Sequence, residues 1–161
     1  MSIKYNKVLE QLLELHESVD KSRLSADTYV YSLRIYKNKL FENMKKTQNS
    51  VHIQSKKNIY ETLFNIVILT LNYLQIRDSS KTYRTITKEN KELFEKKNSD
   101  YGNSFADFEL IGILVRLNDK INRLITILEQ PSTPQVDESV LDTLNDLYNY
   151  GIIGLMYKTN N

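Results

Sequence analysis

Acidic side chains recur at helical spacing near the C-terminus of this sequence. Glu138, Asp142, Asp146 and Asn149 follow one another at intervals that place them on one face of a helix. Carboxylates in such a row repel one another unless a positive group lies among them. A divalent cation is one such group, because oxygen ligands on facing helices commonly form metal sites in helical proteins.

A second charged row precedes the first and offers another way to neutralise it. Its members span an arc of about 80° on an ideal helix and are Glu109, Gly112, Arg116, Asp119 and Arg123. Because Ile113 and Val115 flank this row, we expect it to lie against protein rather than in open water. Arg116 and Arg123 could form interhelix ion pairs with the acidic row without any metal. The residue pattern leaves both alternatives open.

Hydrophobic periodicity predicts the helices that must position these rows. With four glycines and two prolines, the chain has few turn formers, which favours an all-α fold over a β architecture. The predicted helices cover residues 3–21, 26–46, 51–77, 88–97, 105–129 and 138–157, with Ser25 and Asp137 near N-caps and a loop over 98–104. We expect Pro131 and Pro134 to end the fifth helix.

The apolar stripes predict which residues form the core. They comprise Val8, Leu12, Leu15 and Val19, then Leu110, Leu114, Leu117, Ile121, Leu124 and Leu128, and finally Val140, Leu144, Leu147 and Leu155. The most apolar run, residues 63–76, is shorter than the roughly 20 residues that a membrane span needs. We therefore expect it to be a buried helix in the middle of a bundle.

Composition limits the classes of partner and cofactor. The 22 basic and 20 acidic residues nearly cancel, so the sequence gives no electrostatic case for a nucleic-acid or membrane partner. The absence of cysteine excludes disulfides and thiolate metal sites, and His16 and His52 share no ligand spacing. Because the N-terminus lacks the apolar core of a signal peptide, we expect a cytoplasmic protein. Its length suits a single domain, 1–161.

Two short matches indicate a degenerate internal repeat. Residues 60–66 resemble residues 141–147, and residues 32–37 resemble residues 114–119, at offsets of about 81 and 82 residues. A repeat of this kind predicts a pseudo-twofold four-helix bundle, with residues 1–80 containing one copy and residues 88–157 the other. On this alignment Lys37, Glu61 and Asn65 replace Asp119, Asp142 and Asp146, so any metal site belongs to the second half.

Three blocks in the second half resemble a known family. The blocks are KNSDYGNS (97–104), GILVRLNDKINR (112–123) and DESVLDTLNDLYNY (137–150). In this order they resemble the nucleotide modification associated domain of the first type, which is often found in phages and other viruses. That family is grouped with the all-α nucleoside triphosphate pyrophosphohydrolases of the MazG and dimeric dUTPase kind.

The resemblance implies a MazG-like bundle that binds a nucleotide through Mg²⁺ and hydrolyses a (d)NTP or modified nucleotide to a monophosphate and pyrophosphate. Carried over by position, it implies metal ligands at Glu109, Asp119, Glu138, Asp142 and Asp146, of which Glu109, Asp119 and Asp142 would be catalytic. It implies nucleotide contacts from Lys97, Asp100, Tyr101, Arg116, Lys120, Arg123 and Asn149.

The acidic residues depart from the MazG pattern, which has two acids three apart on each of two helices. Here Glu109 and Asp119 are ten apart and the later acids are four apart. Two alternatives therefore stand beside the hydrolase: a nucleotide-binding or sequestering protein without turnover, and a structural helical interaction protein. A homodimer is expected if the site needs a second subunit, whereas an internal repeat would supply that pairing within one chain.

Overall fold

The described part of the chain is built from helices and the short segments that connect them. A computed structural model describes residues 2–15, 21–49, 53–101, 110–130 and 135–160, without the side chains of 2, 47–49, 53, 99–101, 135–139 and 159–160. These residues form no strand. Their helices are α1 (Ser2–Leu15), α2 (Ala26–Asn49), α3 (Ile53–Arg77), α4 (Tyr83–Tyr101), α5 (Leu110–Glu129) and α6 (Gln135–Met156), followed by a 3-10 helix, Tyr157–Asn160. The all-α prediction is confirmed.

The predicted N-cap of α2 is confirmed in detail. The Thr28 backbone N–H donates to the Ser25 hydroxyl at 3.3 Å, and the Ser25 backbone N–H donates to the Thr28 hydroxyl at 2.8 Å. This reciprocal pair satisfies backbone donors that the first turn of a helix leaves without partners. The sequence therefore sets the start of α2 locally.

Predicted boundaries of three helices are wrong. Lys21 is not helical, so the first helix does not reach it, and Leu15 at the end of α1 is exposed rather than in the core. Helix α4 begins earlier and ends later than predicted, so residues 98–101 are helical rather than part of a loop. Helix α6 begins at Gln135, which places Asp137 inside its first turn rather than at the N-cap.

Four of the helices close a ring around the core. Helix α2 packs on α3, α3 on α6, α6 on α5, and α5 back on α2. The predicted α5 and α6 stripes are confirmed, because Leu114, Leu117, Ile121 and Leu124 are buried together with Val140, Leu144, Leu147 and Leu155. Helices α1 and α4 lie outside this ring, and each packs on both α3 and α6.

Helix α3 occupies the centre of the described structure, as its composition predicts. Its buried residues include Leu63, Ile66, Val67 and Leu71. Gln54–Arg77 is long and apolar enough to cross a membrane by length and composition alone, but 61% of its most apolar window is buried inside the protein. Packing in the core accounts for the apolar character of this helix.

Two glycines let α6 approach α3 closely. A Cβ built on Gly151 would lie 2.3 Å from Val67 Cγ2, and one built on Gly154 would lie 3.0 Å from Leu63 Cδ1. Carbon atoms in contact prefer separations of about 3.5–4.0 Å. The absence of a side chain at Gly151 is therefore a packing requirement of the α3–α6 contact.

Burial follows the same pattern along α3 and α6. Every buried residue between Ile59 and Leu71 has a buried counterpart 81 residues later, between Val140 and Ile152. The alignment of α2 with α5 at 82 residues is wrong, because it pairs buried Leu33 with exposed Val115. A shift to 84 residues pairs Tyr29, Val30, Leu33 and Leu40 with the buried residues Ile113, Leu114, Leu117 and Leu124.

Candidate functional site

Asp146 joins three helices through its two carboxylate oxygens. Lys97 of α4 donates to Oδ1 at 2.7 Å, and Lys120 of α5 lies 2.9 Å from Oδ2. The Asp146 side chain is 21% exposed, whereas those of Lys97 and Lys120 are 51% and 26% exposed. We call these three residues the Asp146 cluster. The carboxylate fixes two ammonium groups close to one another at the protein surface.

The charges of the cluster are mutually stabilising. Burial alone would raise the pKa of Asp146, but the hydrogen bonds and charges of Lys97 and Lys120 outweigh burial and lower it. The carboxylate is therefore ionised at neutral pH. Each carboxylate oxygen of Asp146 contacts an ammonium group. These contacts offset the cost of removing part of the carboxylate from water.

The helices place each member of the cluster by simple geometry. On α6, Asp146 lies between the sides that face α4 and α5. Lys120 lies on the side of α5 that faces α6, and Arg116 and Arg123 are its neighbours one turn away in each direction. Lys97 and Lys120 thus flank one stretch of α6, and Arg116 and Arg123 lie beside Lys120 along α5.

Asp119 and Asp142, the other predicted acids whose side chains the structure describes, do not join the cluster. Asp119 and Asp142 are exposed. Asp119 is next to Lys120 in sequence, so its side chain leaves α5 about 100° away. Within the described residues, no three acidic, histidine or cysteine side chains come together as a metal-binding group.

Asn149 lies in the core rather than at the surface. It is buried, its Oδ1 accepts from the Tyr5 hydroxyl at 2.9 Å, and its Nδ2 donates to the Asn90 backbone carbonyl at 3.3 Å. Both ends of its amide are therefore used to join α6 to α1 and α4. This position does not support the predicted nucleotide contact by Asn149.

Several predicted site residues lie outside the described part of the chain. Glu109 is one of them, and the side chains of Asp100, Tyr101 and Glu138 are others. The backbone at 100 and 101 belongs to α4, and at 138 it belongs to α6. Their predicted roles remain predictions.

The described residues do not by themselves form a Mg²⁺ site. Mg²⁺ takes octahedral oxygen ligands and usually one or two carboxylates. Asp146 is the only predicted ligand whose described side chain faces other helices, and two ammonium groups occupy its oxygens. A metal would have to displace those ammonium groups or use Glu109 or Glu138. Mg²⁺ binding therefore stays a prediction.

Sequence reasoning found Asp146 and Lys120 but missed their arrangement. The two-row pattern suggested Arg116 and Arg123 as partners of the acids, whereas the carboxylate of Asp146 contacts lysines. Lys97 is the last residue of the predicted fourth helix, whereas α4 continues beyond it to Tyr101. The separation of Lys97 from Asp146 by 49 residues leaves no periodic signal that could reveal the pair.

Comparison with known proteins gives a family match that contains the whole Asp146 cluster. No curated protein and no solved structure matches the chain. The sequence model of one family does: nucleotide modification associated domain 1 matches residues 97–157. The match begins at Lys97 and covers α5 and α6, so this part of the chain is similar to that domain.

Proposed function

We propose that this protein binds a nucleotide through its phosphates at the Asp146 cluster. The observation that carries the proposal is the position of Lys97 and Lys120, which a single half-buried carboxylate holds together from two different helices. Ammonium groups are point charges that bind phosphate oxygens through charge-assisted hydrogen bonds. A di- or triphosphate offers several such oxygens and suits two adjacent ammonium groups.

The cluster itself favours an anionic ligand, because it carries two ammonium groups and one carboxylate. Around it the charges are mixed: exposed Arg116 and Arg123 lie one helical turn from Lys120, and Asp119 and Asp142 are exposed carboxylates of the same two helices. A phosphate group would share the two ammonium groups with Asp146, which keeps them oriented before the ligand arrives. Such preorganisation reduces the entropy cost of binding.

A second candidate function is Mg²⁺-dependent hydrolysis of a (d)NTP to a monophosphate and pyrophosphate. The observation that favours it is the acidic row itself, because exposed Asp142 precedes Asp146 by one turn on α6 within the family match. The closed ring of α2, α3, α6 and α5 supports a MazG-like core as part of this proposal. The described residues hold no complete metal site, so this candidate rests on the acidic row and the family match.

Calorimetry with purified protein tests both candidates. We expect (d)NTPs and inorganic triphosphate to bind without metal, with an affinity that falls as salt rises, because surface charge interactions are screened. Absence of any binding by correctly folded protein would overturn the proposal. Pyrophosphate release in the presence of Mg²⁺, lost in Asp142→Asn, would establish the hydrolase instead of binding alone.

A further inference from the structure

A large cavity lies beside the Asp146 cluster and has no role in the function proposed so far. It has a volume of about 700 Å³ and opens between the end of α3, the first half of α4 and the start of α6. Small-molecule sites typically occupy about 300–1,000 Å³ and are lined mainly by apolar side chains. The size of this cavity therefore suits a ligand as large as a nucleoside.

The walls of the cavity are apolar and its charged residues balance. Leu74, Ile86, Leu93 and Leu141 supply aliphatic surface. Arg77, Asp78, Lys81 and Glu89 also line it, and Lys81 pairs with Glu89 at 2.8 Å. With two charges of each sign, these walls favour an uncharged ligand with flat apolar faces over a free anion or cation.

Asn90 gives the cavity wall a hydrogen-bond acceptor without a donor. The residue is 3% exposed, and its Nδ2 donates to the Ile86 carbonyl at 3.0 Å, which fixes the orientation of the amide. Its Oδ1 is buried and has no hydrogen-bond partner in the described structure. Buried acceptors without donors are uncommon in folded proteins and call for an explanation. A ligand in the cavity that carries an N–H group would supply the missing donor once the side chains that cover this oxygen shift to admit it.

The cavity and the Asp146 cluster are neighbours in the fold. Asn145 lines the cavity and precedes Asp146 on α6, and Leu93 lines it one turn before Lys97 on α4. One turn of helix advances by about 5.4 Å. Helix α4 passes over α6 from the cavity, on the α3 side, to the cluster, on the α5 side. A molecule with an uncharged ring and a phosphate chain that passes around the α4–α6 contact would reach both places.

We propose that this cavity binds the base of the nucleotide, with a base N–H donating to Asn90 Oδ1 and the aliphatic side chains packing on the ring faces. The inference deepens the proposed function and rests on it for the phosphate end of the ligand. The base end is testable by itself, because a free nucleoside carries no phosphate and reports on the cavity alone.

The experiment compares free nucleosides with inorganic triphosphate on the full chain. Adenosine, guanosine, cytidine and uridine are titrated against the parent protein and against Asn90→Leu and Leu141→Trp, with binding followed by calorimetry and ligand-observed NMR. Leu141 is 44% exposed, so a larger side chain there occludes the cavity without disturbing the core. Val115→Trp is the matched control, because Val115 is 51% exposed on α5 and does not line the cavity.

We expect at least one nucleoside to bind the parent, with affinity about tenfold weaker in Asn90→Leu and lost in Leu141→Trp. Binding of inorganic triphosphate should be unchanged in all three variants. We also expect Asn90→Leu to raise the melting temperature, because it removes a buried acceptor that has no donor. A purely structural asparagine predicts a lower melting temperature instead.

The outcomes separate this inference from the proposed function. If inorganic triphosphate binds but no nucleoside does, or if Leu141→Trp leaves nucleoside binding intact, the cavity inference is overturned and the phosphate site stands. The opposite result is that nucleosides bind, that Asn90→Leu and Leu141→Trp weaken nucleoside binding, and that inorganic triphosphate does not bind. In that case the base site stands and the phosphate proposal falls.

Discussion

The helix pair α2–α3 (the first pair) and the helix pair α5–α6 (the second pair) share a scaffold but differ in the charges that they present. Along α3 and α6, the same positions are buried 81 residues apart. At the position of Asp146 the first pair has exposed Asn65, and at the position of Lys120 it has Tyr36 when α2 is aligned with α5 by burial. The first pair thus lacks both the carboxylate and the lysine that α5 and α6 contribute to the Asp146 cluster.

This difference teaches that burial and charge are specified separately in this fold. Apolar residues at matching positions preserve the ring of helices, whichever polar side chains point outward. The outward positions of α5 and α6 are free to carry a functional cluster, and α4 supplies Lys97 to it. The following predictions test whether this difference in charge gives the two pairs different ligand binding and different contributions to stability.

The largest effect is expected from removal of the two lysines of the cluster. Lys97→Met with Lys120→Met should weaken binding of triphosphate by roughly 10²–10⁴-fold, since each charge-assisted hydrogen bond contributes about 1.5–3 kcal/mol. Lys37→Met with Lys39→Met on α2 is the matched control, because it removes the same charge from the first pair. Calorimetry should show the control binding within a few-fold of the parent. Equal losses in both double variants would mean that only net charge matters.

The next effect concerns the close contact between the pairs. Gly151→Ala should lower the free energy of unfolding by about 1–3 kcal/mol, because the new Cβ would lie 2.3 Å from the stiff Val67 side chain. Gly154→Ala should cost less, since its nearest atom is the mobile end of Leu63 at 3.0 Å. Denaturant unfolding measures both. If Val67→Ala does not reduce the cost of Gly151→Ala, the contact is not its cause.

A smaller effect distinguishes the two matching polar positions. Asp146→Asn should destabilise the protein by about 1 kcal/mol, because it leaves two ammonium groups close together without their carboxylate. The reverse change in the first pair, Asn65→Asp, should alter stability by less than about 0.5 kcal/mol, since Asn65 is exposed. Thermal unfolding of the two single variants provides the comparison. Similar changes in melting temperature would contradict the assigned difference between the pairs.

The smallest effect is a dependence on pH that only the second pair should show. Because its partners lower the pKa of Asp146 below the ordinary value of 3.8, the stability that the cluster contributes is fully present above that value. It is lost as the pH falls through the lowered pKa. The stability difference between the parent and Asp146→Asn should therefore be constant near neutral pH and shrink below pH 3.8. A difference that persists in strong acid would show that the ion pairs do not cause it.

Local signals in the sequence were enough to predict the helices and most of the core. The apolar stripes of α5 and α6 are long and regular, so their buried residues follow directly from the helical period. Ser25 is recognisable as a cap because its partner Thr28 lies within one turn. These features depend on interactions between residues within one or two helical turns of each other. Such interactions leave a pattern that can be read from a single sequence.

Features that depend on distant contacts were missed. Residues 98–101 look like a loop because asparagine, serine and aspartate favour turns, but they continue α4, whose Lys97 contacts Asp146 on α6. Tyr5 stacks on Phe94 with ring centroids 4.8 Å apart and binds Asn149, yet no local pattern marks it as core. Tertiary contacts of this kind override local preference, and they are not visible in the spacing of residues.

The hydrogen bond between Tyr5 and Asn149 has a consequence for how this protein can be divided. A fragment cut to the family match alone would lack the Tyr5 hydroxyl that satisfies Asn149, both rings of the Tyr5–Phe94 stack and the α3 residues that fill the space beside Gly151. Such a fragment would expose a wide apolar surface and would aggregate before any ligand could be added. The unit that must be expressed for biochemistry is therefore longer than the unit that resembles a known family.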